Sequence, residues 1–195
     1  MRQRKSIRLK CWNYSNDGIY FITICTKDKS HWFGDVENGE MVLNNCGKIA
    51  KKCWSEIPNH FKKVELGEFV VMPNHIHGLI EIRRDAQFER TKNVGSSFMM
   101  TKNTNGGFRR LQRDTIYRVP TIPNNPMFSD DSISKIVRGF KGRTAFKIHK
   151  INADFKWQSR FYDHIIRDET DYETKHYYIV NNPNKWTEDK YNKIW

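Results

Sequence analysis

Two histidines one residue apart, His75 and His77, stand in the stretch FVVMPNHIHGLIEI at residues 69–82. Side chains of a β-strand point alternately to its two faces. On that pattern Ile76, Gly78, Ile80 and Ile82 share one face, while His75, His77, Leu79 and Glu81 share the other. Two imidazoles side by side on a pleated surface can converge on one metal ion. A lone His-X-His is a weak signal, because ligation needs a third partner and two polar-face residues need no function. A rigid strand holds such a pair more firmly than a loop does. A second constellation lies near the C-terminus. Tyr178 and Asn182 are four residues apart in YYIVNNP and project from the same side of a helix. Tyr177 is rotated by about 100° from Tyr178, Tyr172 lies nearly two turns upstream, and Tyr162 falls on a predicted strand.

The elements that must position these residues can be read in order. GIYFITICT, residues 18–26, is β-rich and predicts a strand. Residues 31–40 predict a loop or short hairpin with Asn38-Gly39 as its turn. Asn44 or Asn45 can cap a helix over residues 46–57, where Ile49, Cys53, Trp54 and Ile57 fall at helical spacing and Pro58 is the stop. Strands follow at 64–72 and 75–82, joined by a Pro73-Asn74 turn. Ser129 to Ser132 offer caps for a helix with Ile133, Ile136, Val137 and Phe140 on its apolar stripe. Residues 155–166 contain WQSRFYDHII, a predicted last strand. Asp163 reads as a strand-end acid and His164 as a core-facing histidine. Asp168 then caps the final helix, with Asp171 placed as in a capping box and Pro183 as the stop.

Strand, helix, strand, strand, helix, strand is the order of a ferredoxin-like split βαβ unit. The expected class is therefore α+β. An antiparallel sheet carries two helices on one face, and the other face, with His75 and His77, is left for the final helix or for substrate.

FVVMPNHIHGLIEI resembles the His-hydrophobic-His motif of the single-tyrosine (HUH) transposases, and more narrowly that of the REP-associated tyrosine transposases of bacteria. SIRLK, GIYFITICT, LNNCGKIAKKCW, WQSRFYDHIIRD and YYIVNNP are similar to that family in its order, over most of residues 5–85 and 130–186. The resemblance implies that Tyr178 is a nucleophile and that it ends the ferredoxin-like domain on a C-terminal helix. It implies that His75, His77 and Asn182 hold a divalent cation, Mg²⁺ or Mn²⁺, since an amide oxygen suits a hard cation. The implied reaction is cleavage and transfer of single-stranded DNA beside a hairpin, through a 5′-phosphotyrosine. Some relatives dimerise with the tyrosine helix exchanged; the REP-associated branch points rather to a monomer.

Composition fits a polyanionic partner. Among 195 residues, 34 are Lys or Arg and 22 are Asp or Glu, a formal charge of +12. Residues 1–10 form a basic arm with Arg2, Arg4, Lys5, Arg8 and Lys10 and no acid. The helix after Ser132 adds Lys135, Arg138, Lys141 and Arg143. Both are candidate phosphate contacts. The 12 Phe, 8 Tyr and 6 Trp supply surfaces on which unpaired bases could stack, besides filling the core. Residues 86–127 lack periodicity and read as a flexible insertion. The catalytic domain is then expected over 11–85 and 128–183, with a tail at 184–195. No apolar run reaches the ~18 residues of a membrane span, and the basic start lacks the apolar stretch of a secretory signal. A cytoplasmic, DNA-associated protein without a small-molecule cofactor is expected. Cys11, Cys25, Cys46 and Cys53 form no C-x-x-C and read as reduced structural thiols. Two classes of function fit: a metal-dependent DNA nicking and joining enzyme, and a module that binds hairpin nucleic acid without cutting it. A metal phosphodiesterase would need a carboxylate-rich cluster that the sequence does not show.

Overall fold

Alternating apolar residues build a four-stranded antiparallel sheet in the computed structural model, which describes residues 17–83 and 132–192. The basic arm at 1–10 and the expected insertion at 86–127 lie outside the described residues. The sheet runs in the order β4-β5-β1-β6, with β1 at Gly18–Cys25, β4 at Val64–Met72, β5 at His75–Ile82 and β6 at Tyr162–Ile165. This is the strand order of the split βαβ unit expected from the sequence. The segment 155–166 yields a shorter strand than predicted, because only Tyr162–Ile165 ladder onto β1. Upstream of it, Trp157 makes a lone bridge to Thr26.

A hairpin of β2 (Gly34–Glu37) and β3 (Glu40–Leu43) stands apart from the sheet. Asn38 and Gly39, both with positive φ (51° and 78°), form its turn. This is the backbone a two-residue hairpin loop demands.

Helix α1 (Asn45–Ser55) starts on Asn44, whose side chain accepts from Gly47 N at 3.0 Å. It ends two residues earlier than the sequence suggested. Pro58 does not stop it directly but sits in the first turn of a separate short helix, α2 (Ile57–His60), after a break at Glu56. Helix α3 (Ile133–Ile148) is capped by Ser132. Ile136, Val137 and Phe140 of α3 pack with Ala50, Cys53 and Trp54 of α1 against Tyr20, Ile22, Ile24, Ile76 and Ile80 of the sheet. All of these residues are buried, and this face holds the main core.

Helix α4 (Glu169–Asn181) takes the other face. Ile179 is fully buried against Phe21 and Leu79, with Val70, Tyr172 and Tyr178 around them. Asp168 caps the helix through Asp171 N at 2.9 Å. The Asp171 carboxylate does not close a capping box on the cap residue. It accepts from Arg167 N at 3.2 Å and meets His164 Nε2 at 2.8 Å. His164 thus faces α4 rather than the main core. Its neighbour Asp163, which pairs with Ile22, is the core-facing residue of the two. One residue of strand parity separates these outcomes. Among the described residues no helix is long and apolar enough to cross a membrane, and Cys25, Cys46 and Cys53 are free thiols.

Candidate active site

The site begins with the register of β5. His75 pairs with Met72 and Cys25, and His77 with Val70 and Thr23, so both imidazoles emerge on the α4 side of two central strands. Their ring centroids are 4.4 Å apart, and the residues are 0% and 1% exposed. Phe21 stacks on His77 at 5.3 Å.

The tight turn before β5 sets the proton on His75. Asn74 Nδ2 donates to Lys29 O at 3.0 Å and to Tyr191 O at 2.8 Å, which orients the amide. Its Oδ1 can therefore only accept, and it receives Nδ1–H of His75 at 2.8 Å. This leaves Nε2 of His75 as a lone pair, buried and without a hydrogen-bond partner among the described residues. Such an arrangement is the one by which an outer partner fixes the tautomer of a metal-binding imidazole. On His77, Nδ1 meets Thr23 Oγ1 at 2.8 Å and Nε2 meets Tyr178 Oη at 3.3 Å.

Helix α4 and the segment after it close the site. Tyr178 lies edge-on to His77, with ring centroids 5.0 Å apart. Tyr177, by contrast, is 59% exposed. Asn182 is buried and its Nδ2 donates to Asp189 Oδ2 at 2.8 Å. Its Oδ1 is a second buried acceptor with no partner among the described residues. The amide lies against the His75 ring without a well-directed hydrogen bond to it.

Asp189 is the residue that sequence reasoning missed. It lies just past a single 3₁₀ turn, Trp186–Glu188, in a segment read only as a tail. One Asp189 carboxylate oxygen and one nitrogen from each of His75 and His77 lie within 4.8 Å of one another. The same carboxylate accepts from Tyr178 Oη at 3.3 Å and from Tyr191 N at 2.7 Å. Trp186 and Tyr191 cover His75, with ring centroids at 5.9 and 4.5 Å. Trp186 and Tyr191 were the signal that the tail docks, but nothing in their spacing pointed to Asp189 between them.

Burial dominates the proton affinities. It lowers His75 from 6.5 to about 3, against the opposing pull of Asp189. It also holds His77 well below 6.5, with the His75 and Lys190 charges adding to the effect. Both rings are therefore neutral at pH 7, the form that binds metal. The Tyr178 phenol is pushed up by burial, then by the Asp189 carboxylate. Tyr191 is likewise pushed up to about 12, chiefly by burial.

The cations expected on α3 are not brought to this place. Lys135, Arg138, Lys141 and Arg143 belong to a helix packed on the opposite face of the sheet. Lys141 Nζ is held by the carbonyls of Gln158 and Arg160 at 2.6 and 3.0 Å. The Arg143 guanidinium lies 5.9 Å over the Phe61 ring. Lys175 on α4 and Lys185 and Lys190 after it instead line the cleft beside His77 and Tyr178, and the charges of Lys190 and Lys29 reach His75.

No family model matches the chain. An uncharacterized protein of Haemophilus influenzae is 38% identical over 191 residues, spanning 97% of this chain and 93% of the relative. The solved structure of a REP-associated tyrosine transposase bound to a REP hairpin superposes with a TM-score of 0.51 at 17% identity. The match covers 97% of this chain and 77% of that one. The chain thus belongs to one family with the Haemophilus influenzae protein, and it shares the fold of a REP-associated tyrosine transposase.

Proposed function

We propose that the protein is a DNA nicking and joining enzyme that uses Tyr178 as its nucleophile. The observation that carries this reading is the convergence of Tyr178 on two buried, neutral imidazoles and a carboxylate, with a fold shared by a transposase described as bound to a REP hairpin. The substrate class is single-stranded DNA flanking a hairpin.

His75, His77 and Asp189 would hold a divalent cation, with Asn182 Oδ1 as a further oxygen donor. The orphaned lone pairs on His75 Nε2 and Asn182 Oδ1 fit such an ion. A donor set that mixes two imidazole nitrogens with oxygens suits Mn²⁺ better than Mg²⁺, which prefers oxygen ligands. When bound, the ion supplies positive charge that polarises a phosphoryl oxygen and stabilises the leaving 3′-oxygen.

The chain's own groups do the rest. Tyr178 Oη forms a bond to phosphorus, the P–O3′ bond breaks, and the 3′-oxygen leaves as a hydroxyl once protonated. Asp189 Oδ2 lies 3.3 Å from the Tyr178 hydroxyl, so a carboxylate is in place to accept the phenolic proton. Phe21 meets both the Tyr178 and the His77 rings and limits their rotation. The phosphotyrosine conserves the energy of the broken ester and permits joining to another 3′-end.

A labelled hairpin with single-stranded flanks, incubated with Mn²⁺ and resolved on a denaturing gel, tests this. Wild type should give a protein–DNA adduct that survives boiling, and Tyr178→Phe should abolish the adduct while still binding the hairpin. An adduct that persists in Tyr178→Phe would assign the nucleophile elsewhere. Tight binding by wild type with no adduct would favour the non-cutting module.

A further inference from the structure

Beside Tyr178 a cleft of about 520 Å³ opens between β1, β6 and α4, within the ~300–1,000 Å³ typical of ligand sites. Its walls are aromatic. Phe21 forms part of the floor, next to Tyr162 on β6 at a centroid distance of 6.4 Å in an edge-on arrangement. Tyr162 is 40% exposed and Tyr177, on the opposite element, is 59% exposed. Both are large rings left open to solvent at the same cleft.

The mouth is cationic. Lys175, Lys185 and Lys190 line it, against Glu188 and an Asp189 already engaged by Asn182, Tyr178 and Tyr191. Lys175 Nζ stands 5.6 Å over Phe21 and Lys185 Nζ 5.3 Å over Tyr177. Aromatic faces interleaved with lysines at the edge of a groove are what a single strand needs, stacking for bases and charge for phosphates.

We propose that this cleft is a base-binding subsite, in which one unpaired base of the nucleotide flanking the scissile phosphate stacks on Tyr162. The assignment rests on the reading of Tyr178 as the attacking group, since that residue sets where the phosphate must lie. It adds a determinant of substrate choice. A base can enter the cleft only when unpaired, so Tyr162 favours single-stranded flanks over duplex. Tyr162 sits on a strand ladder opposite Thr23, so the platform is rigid.

The test uses the full chain without added metal. Fluorescence anisotropy compares a fluorescein-labelled dT₁₂ with a 12-mer of the same phosphate count made of abasic sites. Wild type should bind dT₁₂ about tenfold more tightly, on the scale of stacking one base. Tyr162→Ala should bring that ratio close to one, and Tyr162→Phe, which keeps the ring, should retain it. Lys175→Gln should weaken both ligands alike. Equal affinities in wild type would overturn the subsite, whatever the variants do. So would a ratio that survives in Tyr162→Ala. The adduct assay separates this outcome from the catalytic reading. An adduct at Tyr178 with no base preference removes the subsite alone. A Tyr162-dependent preference without any adduct removes the cleavage reading alone.

Discussion

The metal-free protein should lose stability between pH 7 and pH 5 because of two residues. In an unfolded chain His75 and His77 titrate near ~6.5. In the folded chain burial lowers His75 to about 3 and holds His77 well below its usual range. Below pH 6.5 the unfolded chain therefore binds two protons that the folded chain refuses. The stabilising contribution is complete above pH 6.5 and drains away as the pH falls toward 3. Well below 6.5 each imidazole costs about 1.4 kcal/mol per pH unit; at pH 5 that amounts to about 2 kcal/mol each and about 4 for the pair. Such a loss is large beside a typical total of about 5–15 kcal/mol. Most carboxylates titrate lower, near ~4, so this window isolates the histidines. Urea denaturation in the presence of a chelator, at steps from pH 7 to pH 5, measures the slope. Wild type should lose about 4 kcal/mol and His77→Gln about half of that. A wild-type loss below about 1 kcal/mol, or the same loss in His77→Gln, would refute the reasoning.

Two further predictions concern the support of the site. A Cβ added at Gly78 would meet Trp54 Cζ2 at 2.4 Å and Phe69 Cβ at 2.9 Å; Gly78→Ala should therefore destabilise by about 1–3 kcal/mol through overpacking, read as a lower urea midpoint. Asp189→Asn should weaken Mn²⁺ binding at least tenfold, on the scale at which metal-site partners act, seen as a smaller Mn²⁺-induced rise in melting temperature. An unchanged rise would mean that Asp189 is no ligand.

The placement of the two histidines on one face was legible in the sequence because strand parity is a local rule. Period two puts His75 and His77 together and Ile76, Gly78 and Ile80 opposite, whatever surrounds them. The same holds for the caps at Asn44, Ser132 and Asp168, and for the Asn38-Gly39 turn, each settled within a few residues. Tyr178 and Asn182 share a helix side for the same reason, and the burial of Asn182 with Tyr177 left exposed follows from which side docks. Periodicity orients a side chain about its own element but is silent on which element packs against it. Only the tertiary structure decided that α4 covers the histidine face while α3 and its lysines go to the other. Only there does Asn74 reach Lys29 and Tyr191 to set the His75 proton. Asp189 enters the site from more than 100 residues beyond the histidines, carried by the docking of Trp186 and Tyr191. His164 and Asp163 show how narrow the local rule is. Once the register of a four-residue strand shifts their parity, the acid faces the core and the histidine faces α4.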